Sequence, residues 1–496
     1  MMQTDKEKQH QTLHDRGICV VIPTYNNGGT IAAVVRDALL ECRDVIVVND
    51  GSTDNTSAEL HQIAGITLVE YATNRGKGYA LKAGFRRAIE MGFSYAITLD
   101  GDGQHYASDI GLFLTANQKH PGALIIGSRQ LEGVERSEGS KFANKFSNFW
   151  FCVQTGRKLP DTQTGYRLYP LKKLRGLSLL TSRYEAELEL LVFASWHGVG
   201  LVPIDINVYY PPREERVSHF RPGIDFTRIS VLNTVLCFLA VVYGLPLRLW
   251  RWLDCGVRTV YAILFTLFFS LGVFTPMVWL FGRRGLKLWI HRLIYRSMRF
   301  LMLRHGIPGT TFTYKISEEV DFNKPAVYIC NHQSHLDLPC QLMLTPKMVI
   351  LTKDWVWNNP LYGLIVREAE FYPVSTGIEQ LMPKLKSLVE RGYSIALYPE
   401  GTRSENCRIG RFHKGAFAIA EQLGLDVVPM FLYGPGRILP KKTYHLRRGP
   451  IYMELGRPVT RAELNKMGDL RTQAQAMRRH YIEKYEIIAN RIEQNV

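Results

Sequence analysis

Closely spaced cysteines are absent from this sequence. The eight cysteines include no C-x-x-C pair, and most lie inside apolar runs, where a free cysteine behaves as a small hydrophobic residue. The pattern predicts neither a zinc site nor a disulfide framework, and it fits a reducing compartment. Residues 1–17 also lack an apolar segment, so no cleaved secretory signal is expected.

An excess of acidic residues is also absent, because 61 Lys and Arg face 45 Asp and Glu and give a net charge of +16. Such a charge fits an anionic partner, namely nucleic acid, a phospholipid surface or a phosphorylated substrate; a soluble basic enzyme is the plain alternative. The basic residues crowd beside apolar runs, which favours a membrane surface and predicts no nucleic-acid partner. They are Arg283, Arg284, Lys287, Arg292, Arg296 and Arg299.

At 496 residues the chain is too long for one ordinary core, and two domains plus an insertion are expected. Up to about residue 210, β-branched runs such as ICVVIPTY, DVIVVNDG and YAITLDGD alternate with helical stretches such as TIAAVVRDALLEC. The alternation returns from residue 326 with AVYICNH, MVILTK, SIALYPEG and DVVPMFLYG. We therefore expect an α/β fold in both halves, with ligands at the carboxyl ends of the strands.

Two long uncharged runs, residues 229–247 and 259–282, separate these halves. Each is long enough to cross a hydrocarbon core of about 30 Å. Pro246 and Pro276 interrupt the runs, and the connector carries Arg248, Arg251 and Arg258. Two full spans would put this basic connector on the wrong side by the positive-inside rule, and a re-entrant or interfacial hairpin would not. Two spans, such a hairpin and a buried core remain alternatives.

Acidic residues follow the apolar strands of the N-terminal half. Asp100 and Asp102 form a D-x-D pair after one strand, and such a pair suits a hard divalent cation that bridges a diphosphate. Asp50 follows an earlier strand, where its carboxylate is placed to accept from a base N–H. Spacing-two acidic pairs are usually solvated, so the neighbouring residues carry the argument: Pro23 and Thr24 close the first strand, and Asn74, Gly76, Lys77 and Gly78 form a basic turn.

The segments IPTYNN, VVNDGSTDNT, NRGKGYALKAGF, LDGDGQHYASDI, GSR and DTQTGYRLY occur in that order over about residues 17–228. They resemble the GT-A (Rossmann-like) glycosyltransferases of family 2, most closely the dolichyl- and polyprenyl-phosphate sugar synthases. The resemblance implies that the nucleotide sugar is bound by Pro23, Thr24, Asp50, Lys77, Asp100 and Arg129. It also implies Mg²⁺ or Mn²⁺ at Asp100, Asp102 and Gln104, and it makes Asp161 the candidate base beside Gln163. Tyr106 and Ala107 depart from the proline-containing pattern, so the acceptor need not be a polyprenyl phosphate.

His332 and Asp337 form an H-x4-D motif after the apolar strand AVYIC. The spacing alone carries little weight, because His10 and Asp15 share it in a polar stretch. Acyl transfer to an alcohol needs a base for the hydroxyl proton and an acid that orients the imidazole. His332 and Asp337 fit these roles, and the later turn YPEGTRS can supply a clamp for the acceptor.

NHQSHLD and YPEGTRS together resemble the PlsC-type glycerolipid acyltransferases over about residues 285–460. The resemblance implies that His332 and Asp337 are catalytic and that no cofactor is needed. The implied acceptor-binding residues are Lys353, Glu400, Gly401, Thr402 and Arg403. In REAEFYPV the family's Phe371 is kept, but its arginine is replaced by Pro373 or Val374, so a glycerol-phosphate acceptor is in doubt unless Arg367 compensates.

These resemblances predict a polar tail (1–16), a glycosyltransferase domain (17–228), a membrane-associated hairpin (229–282), an acyltransferase domain (283–460) and a surface helix (461–496). The predicted enzyme transfers a sugar from a nucleotide sugar and an acyl group from acyl-CoA or acyl-ACP to a lipid acceptor. It would work on the cytoplasmic face of a bacterial inner membrane. Fusions of this order resemble those of aryl-polyene and flexirubin-type pigment lipid pathways. The alternatives are a polyprenyl-phosphate glycosyl synthase joined to an independent 1-acylglycerol-3-phosphate-like acyltransferase, and a scaffold with one inactive domain.

Overall fold

A computed structural model describes residues 2–130, 138–177, 179–209, 222–283, 285–305, 307–443 and 445–495. Arg284, one of the basic residues singled out above, lies outside these ranges. The chain divides into two compact units, Met1–Trp250 with Ile492–Val496, and Arg251–Arg491. The five segments inferred from the sequence stay a prediction.

The first unit is an α/β fold. Its strands are β1 (Ile18–Thr24), β2 (Val45–Asn49), β3 (Ile66–Glu70), β4 (Tyr95–Thr98), β5 (Leu124–Arg129), β6 (Arg167–Pro170) and β7 (Leu201–Ile206). Its first helices are α1 (Met2–Asp15), α2 (Ile31–Glu41), α3 (Thr56–His61), α4 (Lys77–Glu90), α5 (Ile110–Lys119), α6 (Glu138–Thr155), α7 (Leu171–Leu174) and α8 (Glu185–Trp196). Alternate residues of β1 enter two apolar clusters, with Val20 in one and Val21 in the other. Burial on both faces explains why this strand is a continuous apolar run.

Seven strands of the described residues form one sheet in the order β3-β2-β1-β4-β6-β5-β7. Strand β1 pairs in parallel with β2 and β4, whereas β6 runs antiparallel to β4 and β5. The chain moves from β1 outward to β3 and then returns to β4 on the other side of β1. In open α/β sheets such a reversal opens a crevice at the strand carboxyl ends, where ligands bind.

The N-terminal stretch is a helix, α1, rather than a tail. Its Leu13 is fully buried in the cluster that contains Val20. The Nδ1 of His14 donates to the carboxylate of Asp44 at 2.8 Å. Polar composition concealed this packing because a single apolar side chain carries it.

Residues 222–283 are helical throughout, as α9 (Pro222–Leu239), α10 (Leu245–Leu267) and α11 (Thr275–Arg283) joined by π-helical segments. These segments, Ala240–Gly244 and Phe268–Phe274, lie just before Pro246 and Pro276. A proline removes a donor and clashes with the carbonyl four residues earlier, and a locally wider turn accommodates both effects. The helical assignment is continuous through both prolines, and the membrane-associated hairpin inferred from the sequence stays a prediction. By length and composition, Phe226–Phe281 is the one helix of the described residues that is apolar enough to cross a membrane.

The second unit is also α/β. Its strands are β8 (Thr310–Ile316), β9 (Val327–Cys330), β10 (Met348–Ile350), β11 (Ser394–Leu397), β12 (Val427–Tyr433) and β13 (Gly449–Leu455). Its helices are α12 (Lys287–Phe300), α13 (Asp337–Leu342), α14 (Asp354–Trp357), α15 (Gly363–Glu368), α16 (Ile378–Glu390), α17 (Gly415–Leu423), α18 (Pro435–Ile438), α19 (Arg461–Lys466) and α20 (Leu470–Asn495). The described strands form a sheet in the order β10-β11-β9-β12-β13-β8. Strand β9 pairs in parallel with β11 and β12, so the carboxyl ends of these three strands meet at one edge.

Helix α20 is more than a surface helix. Its Met477, Tyr481 and Ile488 are almost completely buried. The Tyr481 hydroxyl donates to the carbonyl of Ile329 at 2.6 Å and accepts from the amide of Met430 at 3.0 Å. One face of α20 therefore packs against the central strands β9 and β12.

Candidate functional site

Three of the predicted sugar-site residues lie at the carboxyl ends of adjacent strands. Thr24 is the last residue of β1, Asp50 directly follows β2, and Asp100 follows β4 with one residue between them. Pro23 and Thr24 pair in register with Val48 and Asn49. The sheet order places these ends at the reversal point between β1 and β4.

Asp50 holds the basic turn that precedes α4. Its two carboxylate oxygens accept from the amides of Arg75 and Gly76, each at 2.8 Å, and the residue is 3% exposed. Gly76 has a φ of 96°, which only glycine adopts without strain. A carboxylate has about four acceptor positions, and these two bonds leave capacity for a further donor. Its role in nucleotide binding stays a prediction.

Lys77 forms a buried ion-pair cluster with the first aspartate of the D-x-D pair. Its ammonium lies 2.7 Å from Asp100 and 3.0 Å from Glu187. Burial lowers the pKa of Lys77, but the two carboxylates more than offset this effect, and its pKa is raised overall. Loss of hydration raises the pKa of Asp100, yet the Lys77 ammonium brings it below its usual range. Lys77 is therefore the counter-ion of Asp100 in this structure.

Asp102 is the carboxylate of the D-x-D pair whose pKa is raised. Burial, together with the charge of Asp100, raises the pKa of Asp102 to about 6. A divalent cation would relieve this repulsion, and the oxygen ligands of Asp100, Asp102 and Gln104 suit Mg²⁺ or Mn²⁺. Within the described residues, no group of three or more His, Cys, Asp or Glu side chains is arranged as a metal cluster. The ligand set Asp100, Asp102 and Gln104 stays a prediction.

His105 was not singled out from the sequence, although it directly follows Gln104. Shielding from water lowers the pKa of His105 to about 4, so the ring is neutral at pH 7. Its ring lies 5.2 Å from that of Tyr166, and its Nδ1 is buried without a partner among the described residues.

Arg129 and Asp161 form a bidentate ion pair. The Nε and Nη2 atoms of Arg129 donate to the Asp161 carboxylate at 2.6 and 3.0 Å, and Asn144 donates to it at 2.9 Å. Burial raises the pKa of Asp161, but the Arg129 hydrogen bonds and charge lower it below its usual range. Asp161 also accepts from the amide of Gln163 at 3.1 Å. Asp161 thus orients Arg129 in this structure, and its role as a base stays a prediction.

The acyl-transfer site begins at the carboxyl end of β9. Asn331, fully buried, donates to the carbonyl of Leu432 at 2.9 Å and accepts from its amide at 2.8 Å. These bonds tie the loop after β9 to β12. The next residue, His332, is thereby held at the strand edge.

His332 and Asp337 are paired as expected. The Nδ1 of His332 donates to Oδ2 of Asp337 at 2.8 Å, and the same oxygen accepts from the amides of Gln333 and Ser334 at 2.7 and 2.8 Å. Because Oδ2 of Asp337 accepts the Nδ1 proton, it fixes the tautomer and orientation of the imidazole. The ring stacks on Tyr398 with centroids 3.9 Å apart. Nε2 is therefore left to take a proton from a hydroxyl.

Glu400 joins the second motif to the first. Its oxygens accept from the amides of His332 and Gly410, at 3.0 and 2.8 Å. Burial raises the pKa of Glu400 to about 7. The amide of Ser404 also donates to the His332 carbonyl at 2.8 Å. Glu400 thus positions the loop rather than presenting a free carboxylate.

The remaining predicted acceptor residues lie around the rim. Gly401 and Thr402 are exposed, Gly401 has a φ of 64°, and Arg403 is half-buried. The ammonium of Lys441 donates to the Arg403 carbonyl at 2.9 Å. Lys353 is exposed immediately before α14. The structure brings His332, Asp337 and Glu400 into direct contact and leaves these four residues on accessible surface.

The second H-x4-D motif does not form a pair. His10 and Asp15 lie on α1, where five residues correspond to a rotation of about 140° around the helix axis. The ring of His10 bonds to the carbonyl of Leu40 at 3.0 Å, and Asp15 accepts from Gln11 at 2.6 Å. Of the two H-x4-D motifs, the one in the strand-to-helix turn after β9 brings its histidine and aspartate close enough to form a hydrogen bond.

Together the two sites define a transferase with two catalytic parts. Models of glycosyl transferase family 2 and of the acyltransferase family match residues 19–175 and 311–433. The N-terminal part of the chain belongs to glycosyl transferase family 2, and its C-terminal part matches the acyltransferase family model. Both resemblances inferred from the sequence motifs are confirmed, and the chain is a glycosyltransferase and an acyltransferase.

Relatives of the two parts are distinct proteins. Over 172 residues the chain is 30% identical to the undecaprenyl-phosphate mannosyltransferase of Micrococcus luteus, which covers 33% of this chain and 70% of that protein. Over 120 residues it is 35% identical to a chloroplastic 1-acyl-sn-glycerol-3-phosphate acyltransferase of Arabidopsis thaliana, covering 23% of this chain and 34% of the plant enzyme. The chain thus spans about a third of that relative's length. The crystal structure of the acyltransferase PlsC from Thermotoga maritima is 19% identical, has a TM-score of 0.38 and covers 47% of this chain and 97% of that one.

Proposed function

We propose that the two sites act in sequence on one lipid, adding a sugar and then an acyl chain. The observation that supports the proposal is that the motifs of a sugar-transfer site and of an acyl-transfer site occur in one chain, each at the carboxyl ends of parallel strands. The neighbouring carboxylates Asp100 and Asp102 would bind a divalent cation, and His332 donates a hydrogen bond to Asp337. A glycolipid is a single acceptor that carries both a sugar and an acyl chain, so one lipid can serve both transfer reactions.

In the glycosyl half, a nucleotide sugar is the donor. Asp100, Asp102 and Gln104 would hold Mg²⁺ or Mn²⁺, which offsets the charge of the departing diphosphate. Lys77 is close enough to Asp100 to move from the carboxylate to a phosphate oxygen when the donor enters. Arg129, whose guanidinium is held by Asp161, would contact a phosphate of the donor. The name of the Micrococcus luteus relative points to undecaprenyl phosphate as the acceptor of that protein.

In the acyl half, an acyl-CoA or acyl-ACP thioester is the donor and no cofactor takes part. Nε2 of His332 removes the hydroxyl proton as the alcohol oxygen attacks the thioester carbonyl, and Asp337 stabilises the imidazolium. The C–S bond then breaks, and the thiolate takes the proton from Nε2. The products are an ester and a free thiol, so atoms and charge balance.

We further propose that the acyl acceptor is a neutral hydroxyl of the glycolipid. The family arginine beside Phe371 is missing, and Arg367 donates instead to the carbonyl of Trp357 at 2.8 Å. Arg403 and Lys353 are then the remaining motif cations for a phosphate, and only Arg403 lies in the YPEGTRS turn. Arg403→Ala should leave the apparent affinity for a neutral acceptor unchanged. A large rise in KM with that variant would indicate a phosphorylated glycerolipid instead.

We also propose attachment to the cytoplasmic face of an inner membrane. The apolar helix Phe226–Phe281 supports this, and so does α12, which buries Ile290 and Ile294 and exposes Arg296. The Arg292 guanidinium lies 5.4 Å from the ring centroid of exposed Trp289. Basic and aromatic side chains on the open face of an amphipathic helix are typical of the membrane interface.

Lipid mass spectrometry of cells that carry the wild-type chain, Asp102→Asn or His332→Ala tests the sequence of steps. We expect a sugar- and acyl-bearing lipid in the wild type, loss of the glycosylated species in Asp102→Asn, and a glycosylated lipid without the ester in His332→Ala. An aryl-polyene or flexirubin-type pigment lipid would be recognised by its mass and absorbance. If His332→Ala changes only phospholipids and leaves glycolipids intact, the acyltransferase is independent and the shared acceptor is refuted. If one variant changes no lipid, that half is an inactive scaffold.

A further inference from the structure

Helix α20 lies outside residues 311–433, the segment that matches the acyltransferase family model, yet its side chains bond to loops of the acyl-transfer site. The Nε of Arg478 donates to the carbonyl of Gly410 at 2.7 Å. The amide of Gly410 donates to Glu400 at 2.8 Å, and the other oxygen of Glu400 accepts from the amide of His332 at 3.0 Å. A chain of three hydrogen bonds thus leads from α20 to the catalytic histidine.

A second chain of hydrogen bonds reaches the same histidine from the other side. The Nε2 of Gln333 donates to the hydroxyl of Tyr485 at 2.8 Å. The amide of Gln333 donates to Oδ2 of Asp337, which also accepts from His332. Arg478 and Tyr485 are seven residues apart, so they lie on the same face of α20 as buried Tyr481.

We propose that α20 is a positioning element of the acyltransferase, and that Arg478 and Tyr485 are positioning residues for His332. The proposal rests on the acyl-transfer function assigned to His332 and Asp337. The two residues act through other groups: Arg478 holds the Gly410 turn, and Tyr485 holds the side chain of Gln333, which directly follows His332. A displacement of about 1 Å at a reacting group can lower the rate roughly 10²-fold, so small shifts of this loop matter.

Full-length protein in detergent micelles, with palmitoyl-CoA as donor and dodecyl glucoside or lysophosphatidic acid as acceptor, provides the assay. Arg478→Met removes the donor to Gly410, and Tyr485→Phe removes one hydroxyl while keeping the ring. Arg479→Met is the matched control, because Arg479 is the exposed neighbour on the same helix. We expect kcat to fall roughly 10- to 100-fold in the first two variants, with KM within about twofold, and no change in the control.

Hydrogen exchange measured by mass spectrometry separates positioning from a loss of stability. In both variants we expect faster exchange in peptides covering 331–337 and 408–412, and unchanged exchange in β9, β11 and β12. The proposal is overturned if kcat of both variants stays within about twofold of the control, or if exchange rises equally across the whole unit. Absence of acyl transfer by the unsubstituted protein would count against the acyl function itself. The exchange comparison would still decide whether α20 holds these loops.

Discussion

The amide of His332 donates to the carboxylate of Glu400 at 3.0 Å, which joins two motifs that lie 68 residues apart in the sequence. The parallel pairing of β9 with β11 makes this contact, because the motifs follow the carboxyl ends of neighbouring strands. Glu400 also accepts from Gly410, so both oxygens serve the architecture of the site. A carboxylate in this position makes the stability of the site depend on pH.

Burial raises the pKa of Glu400 to about 7, above its usual value of 4.5. The folded protein therefore binds this proton more tightly than the unfolded chain, and its stabilising effect is lost as pH rises through about 7. Glu400→Gln cannot titrate. We expect the fall in melting temperature between about pH 5 and about pH 8 to be smaller in Glu400→Gln than in the wild type, by roughly 4–8 °C for about 2 kcal/mol.

Glu405→Gln is the control for this pH experiment. Glu405 lies in the same loop but is exposed, and its hydrogen bond to Lys442 lowers its pKa. Its charge therefore does not change between about pH 5 and about pH 8. Calorimetry in which Glu405→Gln and Glu400→Gln reduce the pH dependence equally would rule out Glu400 as its source.

Asp102→Asn should abolish sugar transfer and leave acyl transfer intact. The substitution removes a carboxylate ligand for the divalent ion, and the two sites share no residue. It also removes the repulsion from Asp100 that, with burial, raises the pKa of Asp102 to about 6. We therefore expect the inactive variant to melt higher at about pH 8, on the order of 2–4 °C per kcal/mol gained. Loss of both activities in folded protein would refute two independent sites.

Asp161→Asn and Arg129→Lys test whether this ion pair acts as a unit. Both substitutions break the bidentate geometry, so we expect similar losses in sugar-transfer rate of roughly 10- to 100-fold. The double variant should lose little more than either single one. If Asp161 is instead the base, Asp161→Asn will be far less active than Arg129→Lys, and the acid limb of its pH–rate profile will disappear.

Most strands of both sheets could be predicted because they are buried on both faces and read as apolar runs. Strand β6 could not be predicted, since its first residue is Arg167. This arginine is fully buried and donates to the carbonyls of Thr162 and Glu187, at 2.9 and 2.8 Å. Hydropathy cannot anticipate a charge whose partners are backbone groups of other segments.

The sites were predictable where a motif follows a strand, as for His332 and Asp100. What the sequence concealed were contacts between distant segments, such as the Lys77–Asp100 ion pair and the reach of α20 toward Gly410. The helical continuity around Pro246 was also not predictable, because Pro246 lies after a π-helical segment that accommodates the missing hydrogen bond.

His332→Ala should lower acyl transfer roughly 10²- to 10⁴-fold, because it removes the base that takes the hydroxyl proton. His10→Ala is the matched control with the same spacing to an aspartate. It removes only a bond to the carbonyl of Leu40 on the exposed side of α1, so the rate should not change. Comparable losses in the two variants, measured with palmitoyl-CoA, would refute the assignment of His332.

Membrane attachment makes a prediction about exposed side chains of the apolar helix. Phe238 and Val241 are 66% and 65% exposed, so Phe238→Glu and Val241→Glu should cost little folding stability. A charge in hydrocarbon is expensive, and the double variant should shift from the membrane pellet to the supernatant. Leu40→Glu, at a 59% exposed position on α2, is the control and should stay in the pellet. Wild-type protein in the supernatant would contradict attachment. Salt screens charges but does not weaken apolar burial, so release by about 1 M NaCl would show that the basic face of α12, and not the apolar helix, attaches the protein.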